Sequence, residues 1–247
     1  MIQSKIDIRQ PEPQPISDMK LIDPSSTPTI GNTPVVGSTV YLMDCVAGMK
    51  HYPDKWFDLA VVDPPYGLNS RIATCDNPAS MKKHSLSKFR KSILESGWDD
   101  SRPTDEYFLE LFRVSKEVII WGGNYFDLWP SRCWIVWHKE VPIQTMSTIE
   151  MAWTSFDKPA KFFKFRSRDK DRFHPTQKPI KLYDFIFKHF SKEGMRVLDT
   201  HLGSGSSRIS ADNAKLEFVG FEINKEFYDL SEERFKRYKS QLRIEGW

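Results

Sequence analysis

Asp63, Pro64, Pro65 and Tyr66 form the most informative short run in this 247-residue chain. Two successive prolines fix an extended backbone and remove two amide donors, so carbonyl oxygens beside them lack a local partner. An exocyclic NH2 group offers two protons. The Asp63 carboxylate and the Pro64 carbonyl are suited to accept one each, which draws the nitrogen toward a state with an available lone pair. Tyr66 adds a ring face on which a base swung out of a helix can stack. These four residues are the candidate catalytic set.

A second run lies near the other end. Asp199 closes an apolar stretch, and Gly203, Gly205, Ser206 and Ser207 follow as a small-residue turn into a helical pattern. Glycines at 203 and 205 let backbone approach a ligand closely at a helix N-terminus. Glu222 stands 23 residues beyond Asp199, at the end of the next apolar stretch. An acid in that place suits the paired hydroxyls of a ribose. A dinucleotide fingerprint would require a third glycine where Arg208 stands, which argues against hydride transfer.

The elements that must carry these runs are legible from periodicity. Residues 38–43 read as a strand, and 57–62 (FDLAVV) as a continuous apolar strand covered on both faces, as in a parallel sheet. A helix opens at Thr104 and Asp105. Strands follow at 117–121, 133–137 and about 149–154. Pro179 opens the next helix, to 190, and then come a strand at 196–198, a helix, a strand at 218–221 and a last amphipathic helix from about 225. Strands alternating with helices predict a doubly wound α/β sheet, with Asp63 projecting from its carboxyl edge.

Residues 1–37 hold six of the 16 prolines and are expected to form a mobile arm, with one catalytic domain over 38–247. The polar stretch at about 68–100 has no clear period and is expected to be a functional insertion. Three cysteines without CxxC spacing argue against a disulfide framework or a zinc site. No apolar run approaches a membrane span. The net charge of +3 means that any surface for nucleic acid must be local.

Together these runs resemble the DNA amino methyltransferases, specifically the permuted β-class in which the catalytic motif precedes the cofactor motif. The resemblance covers about 38–240, and the wording at 121–126 and 133–138 is closest to phage or prophage enzymes. It implies a Rossmann-like fold that uses S-adenosylmethionine, with a mostly parallel twisted sheet and helices on both faces. It implies methyl transfer to adenine N6 of a flipped-out base in double-stranded DNA, without a metal. Cytosine N4 is the alternative target, for which the family more often has serine in place of Asp63; an RNA adenine target and a non-catalytic DNA-binding relative are further readings. A homodimer and a bacterial cytoplasmic setting are the corresponding expectations.

The resemblance also distributes roles. Asp44 and Cys45 match the element that contacts the adenine amine of the cofactor. The block 173–179 (FHPTQKP) precedes a helix, so that Thr176 and Lys178 face the cofactor and Lys178 is placed to meet its methionine carboxylate. Asp63, Asp199, Gly203, Gly205, Ser206, Ser207 and Glu222 complete the cofactor set. The family usually has proline and phenylalanine in the turn where this chain has Thr200 and His201, so His201 is expected to pack over the methionine part.

Two basic stretches are candidates for phosphate contact. Residues 81–91 hold five Lys/Arg and no acid, among them Lys82, Lys83, Lys88 and Arg90. Residues 161–172 hold six Lys/Arg and two acids, among them Arg166, Arg168 and Arg172. Their nearness in sequence to the functional runs favours a DNA-facing role over an ordinary solvated surface.

Overall fold

The computed structural model describes residues 29–30, 33–34, 37–68, 102–140, 147–166, 172–174 and 176–241. Most of the expected arm and nearly all of the expected insertion lie outside the described residues. So do Lys82, Lys83, Lys88, Arg90 and Arg168.

The elements are β1 (Thr29–Ile30), β2 (Thr33–Pro34), β3 (Ser38–Leu42), α1 (Cys45–Met49), β4 (Phe57–Val62), α2 (Asp105–Val114), β5 (Ser115–Trp121), β6 (Trp134–His138), β7 (Ile149–Thr154), β8 (Lys161–Lys164), α3 (Ile180–Phe190), β9 (Arg196–Asp199), α4 (Ser206–Asn213), β10 (Glu217–Glu222) and α5 (Lys225–Ser240). β1 and β2 pair only with each other. The remaining eight strands form one sheet in the order β3-β10-β9-β4-β5-β7-β6-β8. β3 to β5 in this order run parallel, and β7 is antiparallel to both its neighbours.

Both faces of the sheet are covered, as the apolar run at 57–62 requires. Ala60, Val62, Val118 and Ile120 pack with Met49, Tyr107 and Leu111 of α1 and α2. Leu59, Val61, Ile119 and Trp121 face the opposite way, onto Leu182, Ile186 and Phe187 of α3 and Ala211 of α4. Period-two alternation within a strand therefore sends successive side chains into two separate cores.

Helix starts follow local chemistry. Asp44 caps α1 by accepting from Ala47 N at 2.8 Å, and Asn224 caps α5 by accepting from Glu226 N and Phe227 N. Thr104 caps α2, while Pro179 is the cap residue of α3 without a side-chain bond.

The chain leaves β4 toward β5 on one side, and it leaves β9 toward β10 on the other. β4 and β9 are nonetheless neighbours, in the register Leu59–Val197 and Ala60–Leu198. Their carboxyl ends thus flank the point where strand order reverses, the place where open α/β sheets bind ligands. Asp63 follows one strand and Asp199 ends the other. Four elements were not expected from sequence: β1 and β2 within the expected arm, the short helix α1, and the edge strand β8, which occupies the start of the second basic stretch.

Candidate active site

A cavity of about 430 Å³ opens at this switch point. Asp63 and Pro65 line it from β4, and Leu202, Gly203, Ser204 and Ser206 from the turn after β9. Glu222, Ile223 and Asn224 line it after β10, Asp44 and Cys45 at the start of α1, and Thr176, Gln177 and Lys178 ahead of α3. Residues 44, 63, 178, 203 and 222, far apart in sequence, therefore meet around one space.

The turn is built by its own hydrogen bonds. Gly203 and Gly205 have φ of +51° and +71°, the left-handed region that only glycine enters at little cost. Gly203 lies under the His174 ring, where an added Cβ would stand 3.1 Å from the nearest ring atom. Gly203 N donates to Glu222 Oε2 at 2.8 Å, and Gly205 N to Leu202 O at 3.0 Å, so these two amides serve the turn itself. Arg234 of α5 clamps the same turn, donating to Ser204 O and Ser206 Oγ.

Glu222 is 8% exposed and accepts from Gly203 N and Asn224 N, one bond per carboxylate oxygen. Burial raises its pKa, and those amides oppose the rise. A carboxylate with one such bond on each oxygen has acceptor capacity left over. Asp199 has a different task. It accepts from Ser207 Oγ at 2.5 Å and His201 N at 3.1 Å, and it does not line the cavity. Burial pushes its pKa up to about 7, against the pull of those two donors. Gly205 and Ser207 are likewise absent from the cavity wall.

Thr200 and His201 have a local explanation. The Thr200 hydroxyl bonds the Tyr107 hydroxyl at 2.8 Å and the His201 Nδ1 at 2.9 Å, and the His201 ring meets Tyr107 edge-on at 5.4 Å. Burial lowers the His201 pKa to about 4, so the ring lines the cavity as a neutral group. His174 is lowered further, to about 3, by burial and then by Arg172 and Lys178. Cys45 is pushed up to about 12 by burial and Asp44, which keeps it a thiol rather than a nucleophile.

Asp63 is held from two sides. Tyr66 OH donates to Oδ1 at 2.6 Å and Lys178 Nζ to Oδ2. Burial raises the Asp63 pKa, opposed by Lys178. Lys178 also lies 3.5 Å from Glu150 Oε2 and 5.1 Å from the centre of the Trp121 ring. The Tyr66 ring stacks on Tyr125 at 5.0 Å, and an added Cβ at Gly122 would run into its edge at 2.2 Å. One face of the Tyr66 ring is thus covered by Tyr125. Of the second basic stretch, Arg166 is exposed beyond β8, and Arg172 is exposed too while its Nε donates to His174 O at 3.1 Å.

Sequence reasoning missed Met43, His174, Gln177, Tyr183, Thr200, Leu202, Ser204, Phe221, Ile223 and Asn224 as lining residues. His174 and Gln177 lie inside the FHPTQKP block. Ile223 is 71% exposed at the cavity mouth, and an apolar residue directly after a strand-ending acid was its available signal.

The glycine turn, the strand-ending Glu222, and Asp63 and Pro65 of the Asp-Pro-Pro-Tyr run therefore share one cavity, while Pro64 and Tyr66 do not line it. The DNA methylase family model matches residues 120–233, a stretch that contains the cofactor turn and begins after Asp63–Tyr66. The type II methyltransferase M.HpaI of Haemophilus parainfluenzae is 22% identical over 77% of this chain and 72% of its own. Among solved structures, PvuII DNA methyltransferase, cytosine-N4-specific, superposes with a TM-score of 0.57 at 13% identity, over 89% of this chain and 92% of its own. The M1.HpyAVI–SAM complex does so with a TM-score of 0.53 at 18% identity, over 79% and 98%. The fold is that of the DNA methyltransferases, and the likeness to DNA amino methyltransferases read from the motifs is borne out.

Proposed function

We propose that the chain methylates the exocyclic amine of a base in double-stranded DNA, with S-adenosylmethionine as donor and adenine N6 as target. The observation that carries this reading is the shared cavity: Asp63 and Pro65 line the same space as Gly203 and Glu222. The donor set fits the cofactor. Glu222 has lone pairs for two ribose hydroxyls, Met43, Phe221 and Ile223 offer apolar surface to a purine, Asp44 offers an acceptor to its amine, and Lys178 offers a cation to a carboxylate. The cofactor supplies an electrophilic methyl group on a sulfonium, and direct transfer requires no covalent enzyme intermediate.

The protein's part is placement and charge. Asp63 and the Pro64 carbonyl accept the two amine protons and hold the nitrogen in line with the donor, which supplies proximity. As the nitrogen becomes cationic, the Asp63 carboxylate stabilises it and is the nearest group to take its proton. Tyr66 and Lys178 fix the carboxylate in advance. A target inside a duplex is extruded to reach the site, at a cost of a few kcal/mol that stacking and amine contacts offset. Lys82, Lys83, Lys88, Arg90, Arg166, Arg168 and Arg172 are the proposed phosphate contacts, and a homodimer would extend this surface.

Aspartate at 63 favours adenine over cytosine, because the resembled family more often carries serine there for cytosine. The test is expression in methylation-free bacteria followed by modification-sensitive sequencing of their DNA. N6-methyladenine in a fixed motif is expected. N4-methylcytosine would move the target to cytosine, and unmodified DNA beside methylated RNA would replace the substrate.

A further inference from the structure

Glu150 is a partly buried acid for which the reaction derived above has no use. It stands on β7, two strands from β4, and reaches the site only through other side chains. Its Oε1 accepts from Lys139 Nζ at 2.8 Å, and its Oε2 lies 3.5 Å from Lys178 Nζ. Lys178 donates in turn to Asp63, whose other oxygen accepts from Tyr66. Charges therefore alternate along one line: Lys139, Glu150, Lys178, Asp63. Their side chains are 11%, 29%, 4% and 13% exposed, so solvent screens the line weakly.

A pair of Lys139 and Glu150 alone would be an ordinary tie between neighbouring strands. Lys178 between two carboxylates has a chemical consequence that such a tie lacks. An ammonium given wholly to Asp63 would neutralise the charge that the amine must meet. An ammonium shared with Glu150 leaves more of that charge on Asp63, while still fixing the carboxylate in place. The Trp121 ring, 5.1 Å from ammonium to ring centre, adds a cation–π contact on the same ammonium. We propose that Glu150 is a positioning residue for methyl transfer, which keeps Asp63 a stronger acceptor for the amine by sharing the Lys178 ammonium. This inference rests on the reading under Proposed function.

The surrounding charges agree in direction. Burial alone would raise Glu150, yet Lys178 and Lys139 bring it below the usual carboxylate range. Asp63 is raised by burial, lowered by Lys178 and raised again by Glu150. Other titratable groups that bear on this cluster are Tyr66, Tyr183 of α3, Arg172, His174, Asp199 and Tyr107.

The test is single-turnover methylation by full-length wild type, Glu150→Gln, Glu150→Asp and Lys139→Met, each followed from acid to alkaline pH. Glu150→Gln should lower the rate about ten- to a hundredfold, the scale of a small misplacement, with the KM for S-adenosylmethionine changed by less than about twofold. Loss of a negative neighbour lowers the Asp63 pKa, so the acid limb of its rate profile should move to lower pH. Lys139→Met removes a positive neighbour and should move the same limb to higher pH. Glu150→Asp should recover part of the rate. Opposite shifts are not produced by a structural tie, and Lys139→Met keeps the test open should Glu150→Gln fold poorly. A wild-type rate in Glu150→Gln, or acid limbs unmoved in both variants, would overturn the proposal. Wild type that methylates no DNA, or a fully active Asp63→Ala, would instead remove the functional reading on which it rests.

Discussion

Removing the Glu222 carboxylate separates a cofactor-binding acid from one that only holds a turn. Both oxygens already accept from backbone amides, Gly203 N at 2.8 Å and Asn224 N at 2.9 Å. Glu222→Ala strands both donors in a site 8% exposed, at about 1–3 kcal/mol each, so the variant should be about 2–6 kcal/mol less stable. Loss of hydrogen bonds from a charged acceptor to the ribose should weaken cofactor binding by a further ~1.5–3 kcal/mol, or about ten- to a hundredfold. Glu222→Gln divides these effects, because its single carbonyl can satisfy one amide while the charge is gone. Calorimetric titration with S-adenosylmethionine, alongside thermal unfolding and DNA binding without cofactor, reads the terms separately. Folded Glu222→Gln should bind DNA as wild type does and cofactor at least tenfold more weakly. Cofactor affinity equal to wild type in that variant would refute the reasoning, as would parallel loss of both ligands.

Asp199 predicts a pH effect on stability. Its folded pKa, raised from 3.8 to about 7, means that its contribution is fully present below about pH 4 and is lost as pH rises through 7, by up to about 4 kcal/mol. Asp199→Asn imitates the protonated group and should flatten that decline in chemical denaturation series; an unchanged pH dependence would show that the carboxylate is already ionised without penalty. Tyr66→Phe removes the 2.6 Å bond to Asp63 but keeps the ring, so capture of a fluorescent base analogue should be retained, whereas Tyr66→Ala should lose about 1–3 kcal/mol of stacking. Replacing Lys82, Lys83, Lys88 and Arg90 by alanine should flatten the salt dependence of DNA binding, by about 0.9 in log–log slope for each lost phosphate contact. An unaltered slope would place recognition elsewhere.

The fold was legible where burial leaves a mark on composition. FDLAVV could only be a strand covered on both faces, and the helix starting with Pro179 follows from proline's missing amide. β8 was hidden because KFFK was read for its charge. Phe163 packs against the core and Phe162 points outward, a two-residue alternation masked by the lysines around it. α1 escaped because five residues are too short for a periodic signal, and its cap Asp44 had been read only as a ligand contact. The site was legible as motifs but not as a network. Lys178 was expected to face a cofactor carboxylate, yet its ammonium also bonds Asp63, 115 residues away. Glu150 carried no local signal at all, because its meaning depends on which strands become neighbours.

The most direct test of the account is single-turnover methylation of a duplex by Asp63→Ala. The residue acts on the amine rather than on the duplex, so DNA should bind with near wild-type affinity. Loss of one charged acceptor at the reacting nitrogen should cost roughly 3–4 kcal/mol, or about a hundred- to a thousandfold in rate, by analogy with an oxyanion-hole donor. Methyl transfer by Asp63→Ala at the wild-type rate would reduce the Asp-Pro-Pro-Tyr run to a turn and contradict the assignment of this sheet edge as catalytic.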